Sequence, residues 1–145
     1  MFKTRCTIFS CRYILILVVL GLFADQTDLY AQRIGDYIYF GRTELEKGNY
    51  TEAIKYFNDA IYQRPASYEG YFLRGYAKYN LDDYLGAQSD FTKASEFDPY
   101  NPEIYHYRAL VRSDLYDFGG SLEDFSRAIE IDPRNPIYFL NRGRT

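Results

Sequence analysis

Few side chains in this sequence have the types and spacing that catalysis or metal binding requires. His106 is the single histidine, and both cysteines, Cys6 and Cys11, lie within the first dozen residues. General acid–base, nucleophilic and metal chemistry each need several suitable groups held close together. The lone His106 therefore favours a place on a binding surface over a catalytic or metal-ligating role.

Three short motifs have the form of a chemical site without its full residue set. The acidic pair in "LDDY" at 81–84 lies at a predicted turn, and "FGGS" at 118–121 lacks the lysine of a phosphate-binding loop. "NYT" at 49–51 matches an N-glycosylation motif, which matters only in a host that glycosylates. We therefore predict that the chain is not an enzyme and uses neither a metal nor a cofactor.

The composition favours a folded, weakly acidic protein. The formal net charge is −3, and no basic stripe runs along the chain, which argues against a nucleic-acid partner. Hydrophobic residues make up 47% of the sequence, with 17 Tyr and 11 Phe. Such a chain can bury enough apolar surface to offset the entropy lost on ordering, so disorder is not expected.

The first segment, "MFKTRCTIFSCRYILILVVLGLFADQTDLYAQ", has the three parts of a secretory signal peptide. Basic residues precede an uninterrupted apolar run at 14–24, and a polar stretch follows it. The run is too short for a bilayer core, which needs about 20 apolar residues. We expect residues 1–31 to be the signal peptide, cleaved after Ala31, with Ala24 as the second choice.

An uncleaved membrane anchor and an ordinary buried helix are the alternatives for this segment. No cysteine follows the apolar run, which disfavours a lipid-modified N-terminus, and cleavage would remove both cysteines. The ending "AQ" resembles signal peptides of Gram-negative envelope proteins. We therefore expect export to the periplasm or cell envelope, and a membrane-anchored protein only if the segment stays uncleaved.

From residue 34 onward the sequence repeats itself every 34 residues. "DFTKASEFDPYNPEIYHYRA" at 90–109 returns as "DFSRAIEIDPRNPIYFLNRG" at 124–143. The units are 34–67, 68–101 and 102–135, and 136–145 begins a fourth. Small, aromatic and proline residues recur at fixed places: Gly41, Ala53, Phe57, Ala60 and Pro65, then Gly75, Ala87, Phe91, Ala94 and Pro99, then Ala109, Ser121, Phe125, Ala128 and Pro133.

Each unit is predicted to form two helices. In the second helix, small, aromatic and small residues follow one another at spacings of four and three, which places them on one helical face. The recurring proline ends this helix, because proline disrupts a helix interior and pushes the preceding residue out of helical geometry. The predicted fold class is therefore all-α, an α-solenoid of helix-turn-helix repeats covering residues 32–145.

This pattern resembles the tetratricopeptide repeat, a helix-turn-helix unit of 34 residues. The resemblance covers residues 34–145, with mild departures at three positions of the unit, one of them Ser121 where alanine is usual. Position 4 is an aromatic other than the usual tryptophan, for example Tyr71, and position 11 carries a charge where the family favours an aromatic, as in Lys78 and Arg112. The recurring residues are accordingly interpreted as the core.

In the three complete units, positions 7 and 23 are either both charged or both uncharged. The second unit has Arg74 and Asp90, the third has Arg108 and Asp124, and the first has aromatic residues at both positions. We predict partly buried ion pairs within each unit, which specify register more than they add stability. The alternatives are ion pairs between neighbouring units, or solvated charges that form no ion pair.

The resemblance implies that partners contact the first helices, which line the concave side of the solenoid. The matching positions give Arg42, Glu69, Phe72, Tyr76, Tyr79, Asn80, Glu103, His106, Leu110 and Asp114, together with Ile38, Leu45, Glu46 and Ser113. One subgroup of the family grips the C-terminal carboxylate of chaperones with basic and amide side chains. The positions that match this clamp are Ile38, Arg42, Leu73, Glu103 and Tyr107. Only Arg42 is basic among them, and Glu103 would repel a carboxylate, so we reject that ligand.

The favoured function is an exported scaffold that binds a protein or an extended peptide, of unknown identity, on its concave face. Large aromatic side chains there suit peptide contacts, because they bury much area at low entropic cost. The alternative is a docking or regulatory module of a larger envelope protein or enzyme that continues past Thr145. The incomplete fourth unit, "PIYFLNRGRT", leads us to expect such a continuation.

Overall fold

The computed structural model describes residues 36–145, so the predicted signal peptide and its cleavage site lie outside the described residues. The described part contains seven helices and no strand, which confirms the all-α prediction. The first helix, α1, covers 36–46. The others are α2 (Tyr50–Gln63), α3 (Tyr68–Tyr79), α4 (Tyr84–Phe97), α5 (Pro102–Asp114), α6 (Phe118–Ile131) and α7 (Pro136–Arg144).

The helices fall in pairs with the period of the sequence, and each helix packs on the next along the chain. The second helix of each unit ends two residues before its proline, as α4 ends at Phe97 before Pro99. Asparagine side chains then cap the next helix: Asn101 accepts a hydrogen bond from the Glu103 amide, and Asn135 from the Ile137 amide. Because Pro102 and Pro136 occupy the first turn, their missing amide hydrogens cost little.

The turn inside each helix pair contains one residue in the left-handed region. This residue is Gly48 in the first unit, Asp82 in the second and Tyr116 in the third, with φ of 77°, 59° and 62°. The left-handed residue reverses the chain one position before the cap of the following helix. The first helices that precede this turn in the second and third units, α3 and α5, are 12 and 13 residues long.

The recurring aromatic of the second helix forms the core of each unit. Phe57, Phe91 and Phe125 are fully buried, and the recurring alanines beside them are buried as well. A side chain at Gly41 would collide with the Phe57 ring, and a Cβ at Gly75 would lie 3.0 Å from the Phe91 ring. The small residues thus let the two helices approach closely, whereas the recurring prolines are exposed and act only at the helix ends.

Both ion pairs take the within-unit arrangement. Arg74 donates from Nε and Nη2 to the two carboxylate oxygens of Asp90, at 2.9 and 2.6 Å, and Arg108 does the same to Asp124 at 2.8 and 2.6 Å. In the first unit the same positions hold Phe40 and a tyrosine whose ring centroids are 5.8 Å apart. The charged pair and the aromatic pair thus fill equivalent places between helices.

Position 11 of the unit supplies a second cation that the sequence interpretation missed. Lys78 Nζ lies 2.8 Å from Asp90 Oδ2, and Arg112 Nη1 lies 3.0 Å from Asp124 Oδ2. Each buried aspartate is therefore held between two cations. A sequence signal existed: position 11 is basic in the two units that have the aspartate, and it is Glu44 in the unit that lacks it.

The last helix, α7, buries one face against α6 and exposes the other. Tyr138 is buried, whereas Ile137, Phe139 and Leu140 are exposed. Arg142, at the position of the paired arginines, donates to Ser126 Oγ at 3.5 Å. Within residues 36–145, no helix combines the length and the apolar character that crossing a bilayer requires.

Candidate functional site

A groove runs across the first helices of three successive units. It has a volume of about 230 Å³ and is open to solvent along one side. The side chains that line it come from α1, α3 and α5: Arg42, Leu45, Glu46, Phe72, Leu73, Tyr76, Glu103 and Tyr107. The 34-residue period brings them together, because it stacks equivalent helices of neighbouring units side by side.

Aromatic rings form the floor of the groove. The Tyr107 ring lies 5.3 Å from Tyr76 and 5.7 Å from Phe72, edge to face in both cases, and Phe72 also lies 5.8 Å from the buried Phe91. Such edge-to-face pairs are favourable, because the ring edge is positive and the ring face is negative. The core thus holds these rings in place, and the groove is formed before any ligand binds.

The rim of the groove is acidic. Arg42 Nη2 donates to Glu69 Oε1 at 2.8 Å, so the basic side chain of the rim is already paired. Glu46 and Glu103 line the same groove, are exposed, and take part in no ion pair among the described residues. With Arg42 and Glu69 offsetting one another, two carboxylates remain uncompensated beside the aromatic floor.

Six of the predicted contact residues line this groove, and the others lie elsewhere. Those that line it are Arg42, Leu45, Glu46, Phe72, Tyr76 and Glu103, and Glu69 reaches its rim through Arg42. The predicted residues that do not line it are Ile38, Tyr79, Asn80, His106, Leu110, Ser113 and Asp114. Asn80 caps α3, where its side-chain amide donates to the Tyr76 carbonyl at 2.8 Å.

Tyr79 belongs to the packing between α3 and α4. Its ring lies 5.9 Å from Tyr84, and the side chain is half-buried in the core cluster around Phe91. Burial, together with the nearby Asp114 carboxylate, raises the pKa of Tyr79 to about 12. Tyr79 therefore remains a neutral phenol at physiological pH, and it lies outside the groove that Tyr76 lines.

His106 packs between α5, α6 and α7. Its ring lies 5.1 Å from Tyr138, 5.2 Å from Tyr107 and 5.8 Å from Phe125, and its Nδ1 is buried without a hydrogen-bond partner. Burial lowers the pKa of His106, because the charged imidazolium is poorly solvated there. In the described part of the chain, no three His, Cys, Asp or Glu residues are grouped closely enough to hold a metal ion.

Leu73 and Tyr107 are groove residues that the sequence interpretation considered only as chaperone-clamp positions. Both occupy position 6 of their units, and both line the groove. The available signal was a large apolar residue at this position in two successive units. A chaperone clamp would need polar side chains at these two positions, and this chain has the apolar Leu73 and Tyr107 there.

Comparison with known proteins identifies the repeat. A family model described as tetratricopeptide repeat matches residues 37–67 and 68–101. This match confirms tetratricopeptide repeats at residues 37–101, as the resemblance predicted. No curated protein sequence is significantly similar to the chain.

Solved structures share the fold at low sequence identity. The TPR domain of Arabidopsis OM64 has a TM-score of 0.75 and 23% identity, over 77% of this chain and 92% of that one. The first TPR of Spaghetti (RPAP3), bound to an HSP90 peptide, has a TM-score of 0.76 and 21% identity, over 78% and 90%. MamA from Desulfovibrio magneticus RS-1 has a TM-score of 0.72 and 17% identity, over 76% and 62%.

Proposed function

Because residues 37–101 are tetratricopeptide repeats, we propose that this chain is a protein-interaction scaffold that binds an extended segment of another protein. The segment lies in the groove between α1, α3 and α5. The observation that carries this proposal is the open groove with an aromatic floor, formed by Phe72, Tyr76 and Tyr107.

The shape and composition of the groove suit a peptide ligand. Its length crosses three helices, so an extended chain can contact all three units. Tyrosine and phenylalanine side chains provide large contact areas at low entropic cost, and such residues dominate binding energy at interfaces. Structural neighbours offer support: domains of RPAP3 and of yeast Sti1 are described in complexes with peptides of HSP90 or HSP70.

The scaffold acts outside the cytoplasm in this proposal. The N-terminal sequence supports export, because basic residues, a short apolar run and Ala31 follow one another in the order of a signal peptide. The periplasm or cell envelope is the proposed compartment.

Site-specific photo-cross-linking tests the groove as the binding surface. A photoreactive amino acid replaces Glu46 on the rim or, as the control, Tyr62, which is 82% exposed on α2 and does not line the groove. Both variants are expressed as the full chain and irradiated in the cell envelope. We expect a discrete cross-linked partner from position 46 and none from position 62. Equal labelling from the two positions, or labelling from position 62 alone, would refute groove binding.

A further inference from the structure

We propose that the segment bound in the groove carries a lysine or arginine next to an aromatic or aliphatic side chain, and not a C-terminal carboxylate cluster. This inference rests on the proposed function and names the chemistry of its partner. Four features of the groove lead to it: the uncompensated carboxylates, the pairing of Arg42, the half-buried aromatic rings that line it, and the apolar side chains beside these rings.

The first feature is the charge of the rim. Glu46 on α1 and Glu103 on α5 both line the groove, and neither has a cation in an ion pair among the described residues. A basic side chain entering the groove would be attracted by both carboxylates. An acidic tail would be repelled by both, and this repulsion strengthens as the ligand displaces water from the groove.

The second feature is that Arg42, the one basic side chain lining the groove among the residues the structure describes, is already paired with a carboxylate. Arg42 already holds the Glu69 carboxylate at 2.8 Å. An incoming carboxylate that bound the remaining donors of Arg42 would lie beside the negative charge of Glu69. The net charge that the Arg42–Glu69 pair presents to a ligand is therefore close to zero.

The third feature is the chemistry of the floor. The faces of Tyr76 and Tyr107 can accept a cation, because the ring quadrupole is negative at its centre. The chain itself uses this contact: Arg74 lies 5.5 Å from the centroid of Tyr71, and Arg108 lies 5.3 Å from that of Tyr105. A guanidinium in the groove can thus stack on a ring while a carboxylate of the rim neutralises it.

The fourth feature accounts for the apolar neighbour in the ligand. Leu45, Leu73 and Phe72 line the groove beside the tyrosines and offer no hydrogen-bond donor. A bound polar side chain at this level would lose its water without gaining a partner. The groove therefore selects an apolar side chain near the basic one.

Peptide selection tests the inference. A random dodecapeptide library, displayed with free carboxyl termini, is selected on the full chain and counter-selected on Tyr76→Ala. We expect the surviving peptides to be enriched in lysine or arginine adjacent to aromatic or aliphatic residues. We also expect Glu46→Gln/Glu103→Gln to weaken the best peptide at least tenfold at low salt, and added salt to weaken binding to the unmodified chain.

The matched control changes the same net charge elsewhere. Asp59→Asn/Glu123→Gln removes two exposed carboxylates outside the groove that form no ion pair among the described residues, and binding should stay within twofold. Groove-dependent peptides that are acidic or uncharged would overturn the inference and leave the proposed function standing. Equal weakening by the control would overturn it too. If no peptide depends on Tyr76, the proposed function fails with it.

Discussion

At the residue scale, the buried aspartates show how one unit differs from another. Asp90 and Asp124 each lie between an arginine at position 7 and a second cation at position 11. The pairing with position 7 could be predicted, because the arginine at position 7 and the aspartate at position 23 occur in the same units. The cation at position 11 was missed, since the family pattern there favours an aromatic and the charge looked like a departure.

The first prediction concerns Asp124→Asn. The substitution leaves Arg108, which is only 12% exposed, without its carboxylate, and it leaves Arg112, which is 22% exposed, with the more distant carboxylate of Asp117 at 3.8 Å. Uncompensated cations of this kind are strongly unfavourable, so we expect a loss of about 3 kcal/mol in the free energy of unfolding. Urea denaturation at neutral pH measures it.

The control for this substitution is Glu130→Gln. Glu130 is 66% exposed and pairs with Arg127 on the surface, where such a pair contributes about 0–1 kcal/mol. Losses of equal size from Asp124→Asn and Glu130→Gln would show that Asp124 is not the centre of a buried charge cluster.

The second prediction concerns His106 and pH. Burial keeps the pKa of folded His106 below its usual value near 6.5, so the unfolded chain takes up a proton first as the pH falls. Protonation therefore favours the unfolded state, and stability should decrease from pH 7 downward until folded His106 is itself protonated. Thermal melts between pH 7.5 and 5.5 test this expectation.

His106→Phe provides the comparison for the pH series. It keeps a ring against Tyr138 and Phe125 but removes the titrating group, and the chain has no other histidine. We expect a flatter dependence of the melting temperature on pH in this variant. Parallel curves for the two proteins would mean that His106 does not couple folding to protonation.

At the scale of the elements, helix pairs and their ends could be predicted, and the turn between them could not. Pro99 and Pro133 predict where the second helices end, and α4 and α6 end just before them. The left-handed residue is a glycine in one unit, an aspartate in another and a tyrosine in the third. With no shared residue type, the sequence gives little sign that this position has a positive φ.

The third prediction follows from the unfavourable backbone of Tyr116. A side chain other than glycine in the left-handed region costs roughly 1–2 kcal/mol, and the Tyr116 ring is 82% exposed. Tyr116→Gly relieves this cost but adds entropy to the unfolded chain, so we expect a net stabilisation of about 0.5–1 kcal/mol. Chemical denaturation measures the change.

The reverse substitution in the first unit is the control. A Cβ at Gly48 would meet nothing within 4 Å, so Gly48→Ala changes only the backbone preference at a φ of 77°. We expect it to destabilise the protein by about 1 kcal/mol. A destabilised Tyr116→Gly variant would indicate that the exposed ring contributes more than the strain costs.

At the scale of the whole molecule, the groove depends on how three units stack. Sequence register identified six groove residues, because they occupy positions that face the concave side in related repeats: Arg42, Leu45, Glu46, Phe72, Tyr76 and Glu103. It placed His106 there as well, but the same position in the third unit packs against α7. Equivalent positions have different surroundings, since each depends on the side chains of the neighbouring units.

The fourth prediction concerns export of the whole protein. We expect the chain recovered from the cell envelope to lack residues 1–31 and to begin at Gln32, because the apolar run at 14–24 is short and Ala31 suits a signal peptidase. Intact-mass spectrometry and N-terminal sequencing measure this directly. An exported chain that retains Met1 would instead indicate an uncleaved membrane anchor.

The central claim is that the groove between α1, α3 and α5 binds the partner, and a calorimetric titration tests it most directly. A peptide selected on the unmodified chain alone, without counter-selection on Tyr76→Ala, is titrated into the unmodified chain, Tyr76→Ala and Tyr62→Ala, each checked for unchanged helical content. Truncation of a central aromatic at an interface commonly costs more than 1 kcal/mol. We predict at least about a tenfold increase in Kd for Tyr76→Ala and no change for Tyr62→Ala. The same Kd for all three proteins would contradict the claim.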